Sequence, residues 1–229
     1  MKPLFLFILL LFILSFWSCQ KEIDNPEPLV LENEYFPIII GNWISYQIEE
    51  INIDKESAVN DTVKYQIKEV IESLIENLDD YKTYRLERYY RKNETQEWEI
   101  LNVWQIRQYP RHIHKIEENI EYVRLTTPIK LNEKWDGNAF NENETQNYKL
   151  SNISDTLINN SQNRFISVIQ QNESSLIDKL FSEEKYLKDI GLIQKTDINV
   201  ELNIDPNLPW NEKVIKGTIF YQNYIESSL

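Results

Sequence analysis

Residues 81–107 read YKTYRLERYYRKNETQEWEILNVWQIR, and this stretch decides the fold class. Tyr81 to Arg91 alternates in side-chain character and is followed by the polar turn Lys92-Asn93-Glu94-Thr95-Gln96. In the partner run, Trp98, Ile100, Trp104 and Ile106 share a face with Asn102 as the only polar member. Glu99, Leu101, Val103, Gln105 and Arg107 make the other face. A repeat of two is the signature of a strand, and two such runs joined by a short polar turn predict a β-hairpin.

Working outward, Arg111 to Glu117 and Ile120 to Thr127 predict a second hairpin around Glu118-Asn119, where asparagine accepts positive φ. Pro128 to Asn138 follows, with Asp136-Gly137 as a tight-turn pair, and echoes Pro37 to Trp43. Further strands are expected at Tyr148–Ile153, Arg164–Gln170, Gly191–Lys195 and Val214–Tyr224, with Asp205–Asn211 a loop. Ser174–Asp189 suits either a helical face or two short strands. On the N-terminal side, Thr62–Ser73 reads as a strand ending in a turn at Asn77–Asp80. Before it, Pro37 belongs at a sheet edge, Gly41-Asn42 forms a turn, and Ile44, Tyr46 and Ile48 share a strand face. Ile38, Ile39 and Ile40 are expected to be buried. The fold class is therefore mainly β: an antiparallel meander forming a barrel, half-open barrel or sandwich, with at most one or two short helices.

The N-terminal residues belong to a different physical class. Lys2 precedes an apolar run from Leu4 to Trp17, shorter than the ~20 residues of a membrane span but matched to a signal-peptide core. Ser18-Cys19 follows, and Cys19 is the chain's single cysteine. Residues 1–18 are thus expected to be a lipoprotein signal peptide, with Cys19 the lipidated residue and the membrane reached through that lipid. Residues 19–34 read as a charged tether, and 35–229 as one β domain. The start Cys19-Gln20-Lys21-Glu22 looks like the export signal of surface lipoproteins, which implies an outward-facing outer-membrane location. The formal net charge is −13. Such a surface repels nucleic acid and anionic headgroups.

Together these landmarks resemble a family of uncharacterised Bacteroidetes-type outer-membrane lipoproteins, similar to DUF3108-like domains of unknown function. The matching residues are Phe36-Pro37, Gly41-Asn42-Trp43 with Tyr46, Trp135 to Asn138, Tyr186 with Ile190 to Ile193, and Lys216 to Gln222. They are structural glycines and aromatics, so the resemblance implies a fold and a location without implying an activity.

Few residues suggest chemistry. His112 and His114, the only histidines, fall on the same side of a strand, a spacing that suits metal ligands, and Glu117, Glu118 or Glu121 could supply a third. Arg111 and Lys115 oppose a cation there, and two surface histidines on an edge strand are an ordinary arrangement, so no metal is expected. There is no Gly-x-Ser-x-Gly elbow and no phosphate-binding glycine loop, and no motif calls for a cofactor. The carboxylate pairs Asp79-Asp80 and Glu183-Glu184 lie in polar runs and read as solvated. Trp43, Trp98, Trp104 and Trp135 are expected in the core and Trp210 at the surface. Thr62 and Thr156 follow aspartates in a pattern resembling an O-glycosylation motif of exported Bacteroidetes proteins. The expected function is a non-enzymatic, lipid-anchored binding or structural module; the alternatives are a carrier with an apolar ligand inside its barrel, and then an enzyme.

Overall fold

The computed structural model describes residues 33–158 and 161–229. Cys19, the expected signal peptide and most of the tether lie outside the described residues. Among those described, twelve strands form one antiparallel sheet, curled into a nearly closed barrel. They are β1 (Trp43–Asp54), β2 (Val59–Asn77), β3 (Lys82–Arg91), β4 (Glu99–Gln108), β5 (His112–Glu117) and β6 (Ile120–Thr126). The second half has β7 (Lys134–Asp136), β8 (Asn147–Ile158), β9 (Ser161–Ser174), β10 (Asp178–Leu187), β11 (Gly191–Leu202) and β12 (Val214–Ser227). A four-residue helix, α1 (Trp210–Lys213), precedes β12.

The spatial order is β6-β5-β4-β3-β2-β1-β12-β11-β10-β9-β8-β7. Each half is a plain meander, and the first and last strands pair in the middle, from Ile44–Ser227 to Asp54–Lys216. The two edges of this order, β6 and β7, then meet. Val123 donates its N–H to the Gly137 carbonyl at 2.9 Å, and Trp135 Nε1 donates to the Val123 carbonyl at 2.9 Å. The seam removes part of the exposed edge that an open sheet would leave for aggregation.

Both predicted hairpins form. Glu118 and Asn119 carry φ of 49° and 67°, the two positive values that a tight two-residue turn needs. The undecided segment 174–189 resolves as strand β10. Period-2 reading fails where the ladder holds a bulge, because an extra residue reverses the parity beyond it. Arg88 pairs with Asn102 but Tyr89 pairs with Ile100, leaving Leu101 as the extra residue. Trp104 and Ile106 consequently face the interior, while Ile100 is exposed and Trp98 stands over Lys68 and Arg91.

The main core joins Ile71, Leu86, Ile106, Ile113, Leu125, Leu150, Ile166 and Val168 from both halves of the sheet. Burying each such aliphatic side chain contributes about 1.5–3 kcal/mol. A separate cluster (Ile51, Ile53, Val200, Leu202, Val214 and Ile219) packs on the opposite face of β1. The triple isoleucine run departs from expectation. Ile38 packs against the core, but Ile39 and Ile40 are exposed, because the Ile39–Asn42 turn lifts them off the barrel.

Candidate functional site

The segment Glu34–Ile38 lies against one end of the barrel. Tyr35 is buried in the core, and the Phe36 ring packs on Tyr186 at 6.2 Å. The Asp189 N–H donates to the Glu34 carbonyl, and Pro37 sits against Gly191. Beneath this segment is a cavity of about 60 Å³. Its wall is apolar, with Ile44, Ile71, Leu86, Ile106 and Leu192, and the exposed Leu229 stands at its outer end.

Its floor is charged. On β2, Glu69 alternates with Ile67 and Ile71 and so shares their inward face. On β5, Lys115 and Glu117 do the same after Ile113. Arg124 is the unpaired residue of a bulge in β6, since Ile113 pairs with Leu125 and His114 with Val123. A bulge re-aims the side chain it carries, and Arg124 points inward to meet Glu117 at 2.7 Å and Glu184 of β10 at 3.5 Å. Lys115 Nζ donates to both Glu69 oxygens at 3.0 Å, and Arg88 Nε reaches the same carboxylate at 3.0 Å. The Trp104 ring offers its face to both cations, with the Arg88 guanidinium 3.5 Å and the Lys115 ammonium 4.8 Å from the centroid. Glu184 accepts from Tyr186 Oη at 2.5 Å, and Lys195 lies 3.9 Å away.

Electrostatics hold Glu117 and Glu184 ionised. Burial pushes the Glu117 carboxyl up, but the Arg124, Lys115 and Lys195 charges outweigh it and bring it down to about 2. Burial raises Glu184 in the same way, and Arg124 and Lys195 hold it below the usual carboxylate range. Burial and the nearby Glu69 and Glu184 charges push the Tyr46 phenol well up. Among the described residues, three buried side-chain nitrogens have no hydrogen-bond partner: Arg124 Nε, Asn42 Nδ2 and Gln170 Nε2. Arg124 and Asn42 both line the cavity.

These charges are what the sequence reading missed. Glu183-Glu184 reads as a solvated pair, yet Glu184 is 3% exposed. Its alternation with Tyr186, like that of Glu69 with Ile67 and Ile71, is the signal that places it inside.

The predicted histidine pair assembles on the outer face of the barrel. His114 is fully buried, and β5 is flanked by β4 and β6, so neither the surface nor the edge-strand description applies. His114 Nδ1 meets Glu121 Oε1 at 2.7 Å, and His114 Nε2 meets His112 Nδ1 at 2.6 Å. At that separation the two ring nitrogens share a proton, and Glu121 is engaged by Arg107 at 2.6 Å. Among the described residues no group of three His, Cys, Asp or Glu side chains is arranged to hold a metal ion. Tyr109 and Phe140 cover the pair, with centroids 4.5 Å from the His114 ring. Burial, and then the His114 charge, lower the His112 pKa to about 4.

Of the other singled-out residues, Trp104 and Trp135 pack against the core, Trp43 lies under the Lys68 ammonium, and Trp210 is exposed. Thr62 is exposed on β2, opposite Ile51, and Thr156 pairs with Asn163 in the β8–β9 ladder.

No family model and no curated protein matches the chain, so the DUF3108-like label is set aside. Among solved structures, an exported protein with a YmcC-like fold from Bacteroides fragilis matches with a TM-score of 0.48 and 9% identity, over 85% of this chain and 99% of that one. A lipoprotein from Parabacteroides distasonis matches with a TM-score of 0.40 and 9% identity, over 85% and 98% of the two chains. Nothing about this chain's ligand or activity follows from likenesses at that level.

Proposed function

We propose that the protein is a lipid-anchored cell-envelope module that binds a small amphiphilic molecule inside its barrel. The observation that carries this reading is the cavity itself, an apolar wall over a buried charged floor with two donors left unpartnered. Neither a dry carrier cavity nor a filled structural core has that composition. The reading is one of binding because both cavity-lining carboxylates are held by cations: Glu69 by Lys115 and Arg88, and Glu184 by Arg124. Neither is free to act as a general base.

The anchor rests on the sequence: Leu4–Trp17 followed at once by Cys19. The segment from Cys19 to Asn33 spans at most about 50 Å when extended. Surface exposure through the Gln20-Lys21-Glu22 signal and O-glycosylation at Thr62 and Thr156 belong to the same reading.

Two measurements test it. Palmitate labelling should be lost in Cys19→Ser, and labelling that persists rejects the anchor. Full-length protein isolated from a native-type host should release a near-stoichiometric small amphiphile on solvent extraction. The Leu192→Trp variant, whose indole fills the cavity, should release much less. A parent protein that releases none rejects the binding reading.

A further inference from the structure

Resting on that binding reading, we propose that the ligand is a monocarboxylate on an unbranched apolar stem, its carboxylate accepting from Arg124 Nε and Asn42 Nδ2. Both nitrogens are donors only, so the missing partner is an acceptor. Arg124 is 4% exposed, and a buried guanidinium N–H without an acceptor is costly. The residues able to satisfy it are committed elsewhere. Glu117 occupies the neighbouring Nη2, and Glu69 is taken up by Lys115 and Arg88. Glu184 stands off at 3.5 Å from Nη1 and 3.9 Å from Lys195. Arg124 thus makes one tight ion pair, with Glu117 at 2.7 Å, and one stretched pair, with Glu184 at 3.5 Å.

Charge selects the class of acceptor. Arg88, Lys115, Arg124 and Lys195 are matched by Glu69, Glu117, Glu184 and Asp197, the last pairing with Lys195 at 3.4 Å. The open N–H belongs to a guanidinium, which bonds a charged acceptor about twice as strongly as a neutral one, and that favours a carboxylate. A dianion would meet three carboxylates at close range, and a cation would meet two donors. The volume selects the stem. About 60 Å³ takes a carboxylate and its first few carbons, at roughly 10–15 Å³ for each water-sized group. The remaining methylenes run between Ile44 and Leu192 toward Leu229.

The test uses full-length protein in phospholipid nanodiscs at pH 8. Two ten-carbon photoprobes with a diazirine in the tail are compared, one ending in a carboxylic acid and one in a primary alcohol. The acid is expected to label cavity peptides from β1 and β11 in preference to the alcohol. Asn42→Ala and Arg124→Lys should each weaken acid labelling about tenfold, as loss of one charge-assisted hydrogen bond does, and leave alcohol labelling unchanged. Asn42→Ala is the decisive variant if Arg124→Lys does not fold. Equal labelling by acid and alcohol, or acid labelling indifferent to Asn42→Ala, overturns the carboxylate assignment while leaving a binding cavity. Butanoate that competes as well as decanoate overturns the stem. Failure of both probes to label the cavity removes the binding reading as well.

Discussion

Lys115 on β5 places its ammonium 3.0 Å from both carboxylate oxygens of Glu69 on β2, although β3 and β4 separate the two strands in the sheet. The contact crosses the barrel interior and joins residues 46 positions apart. Both side chains are more than nine-tenths buried, so neither charge has water to fall back on.

Removing one member leaves the other charge stranded. Glu69→Gln and Lys115→Met should each cost about 3–5 kcal/mol in urea unfolding. The double variant should cost clearly less than the sum, giving a coupling of about 2 kcal/mol or more. Additive losses would show that the contact is incidental to the fold.

Two glycines should fail for different reasons. Gly191 has φ of +104°, and a Cβ there would meet only Pro37 Cδ, at 3.5 Å. Gly191→Ala should therefore cost about 1 kcal/mol or more from backbone strain alone. A Cβ at Gly137 would lie 2.3 Å from the Tyr148 ring, which is itself buried. Gly137→Ala should cost more than Gly191→Ala, and Tyr148→Ala should relieve part of that cost. Equal urea midpoints for the two glycine variants contradict this.

Acid sensitivity follows from Glu117. Its folded pKa is depressed to about 2, so between that value and the ordinary carboxylate range the unfolded chain binds more protons. The stability it contributes is present above about pH 4.5 and is lost as pH falls toward 2. A shift of this size corresponds to about 3 kcal/mol. Glu117→Gln should flatten the stability profile in that window while lowering stability at pH 7. An unchanged acid slope contradicts the assignment.

His112 should titrate near pH 4 by NMR, because burial and the facing His114 oppose its protonation, while Glu121 favours it more weakly. It contributes stability above about pH 6.5 that is lost as pH falls through 4. Phe140→Ala opens the cover over the ring and should move the titration upward. An inflection at 6.5 in the parent would mean that the ring is solvated.

The meander could be read from the chain because alternation and turn chemistry are local. Residues 81–107 and the Glu118-Asn119 turn follow from nearest neighbours. Bulges do not. Leu101 reverses the parity of Trp98 and Ile100, and Arg124 gains an inward aim that no periodicity announces. The charged floor was hidden differently. Glu69, Lys115 and Glu184 occupy inward positions of correctly predicted or half-predicted strands, yet each alone resembles a solvated residue. Their meeting depends on barrel closure, which a single strand cannot express. The exposed Ile39 and Ile40 mark the opposite limit, since hydrophobicity alone does not bury a turn.

The most direct test is a high-resolution experimental structure of the full-length protein isolated from a native-type host, inspected at the cavity beneath Phe36 and Leu192. The account predicts elongated density along Ile44 and Leu192, ending in an acceptor about 2.7–3.2 Å from Arg124 Nε. A cavity collapsed by side-chain packing, or one holding only separate waters bonded to Arg124 and Asn42, would contradict it.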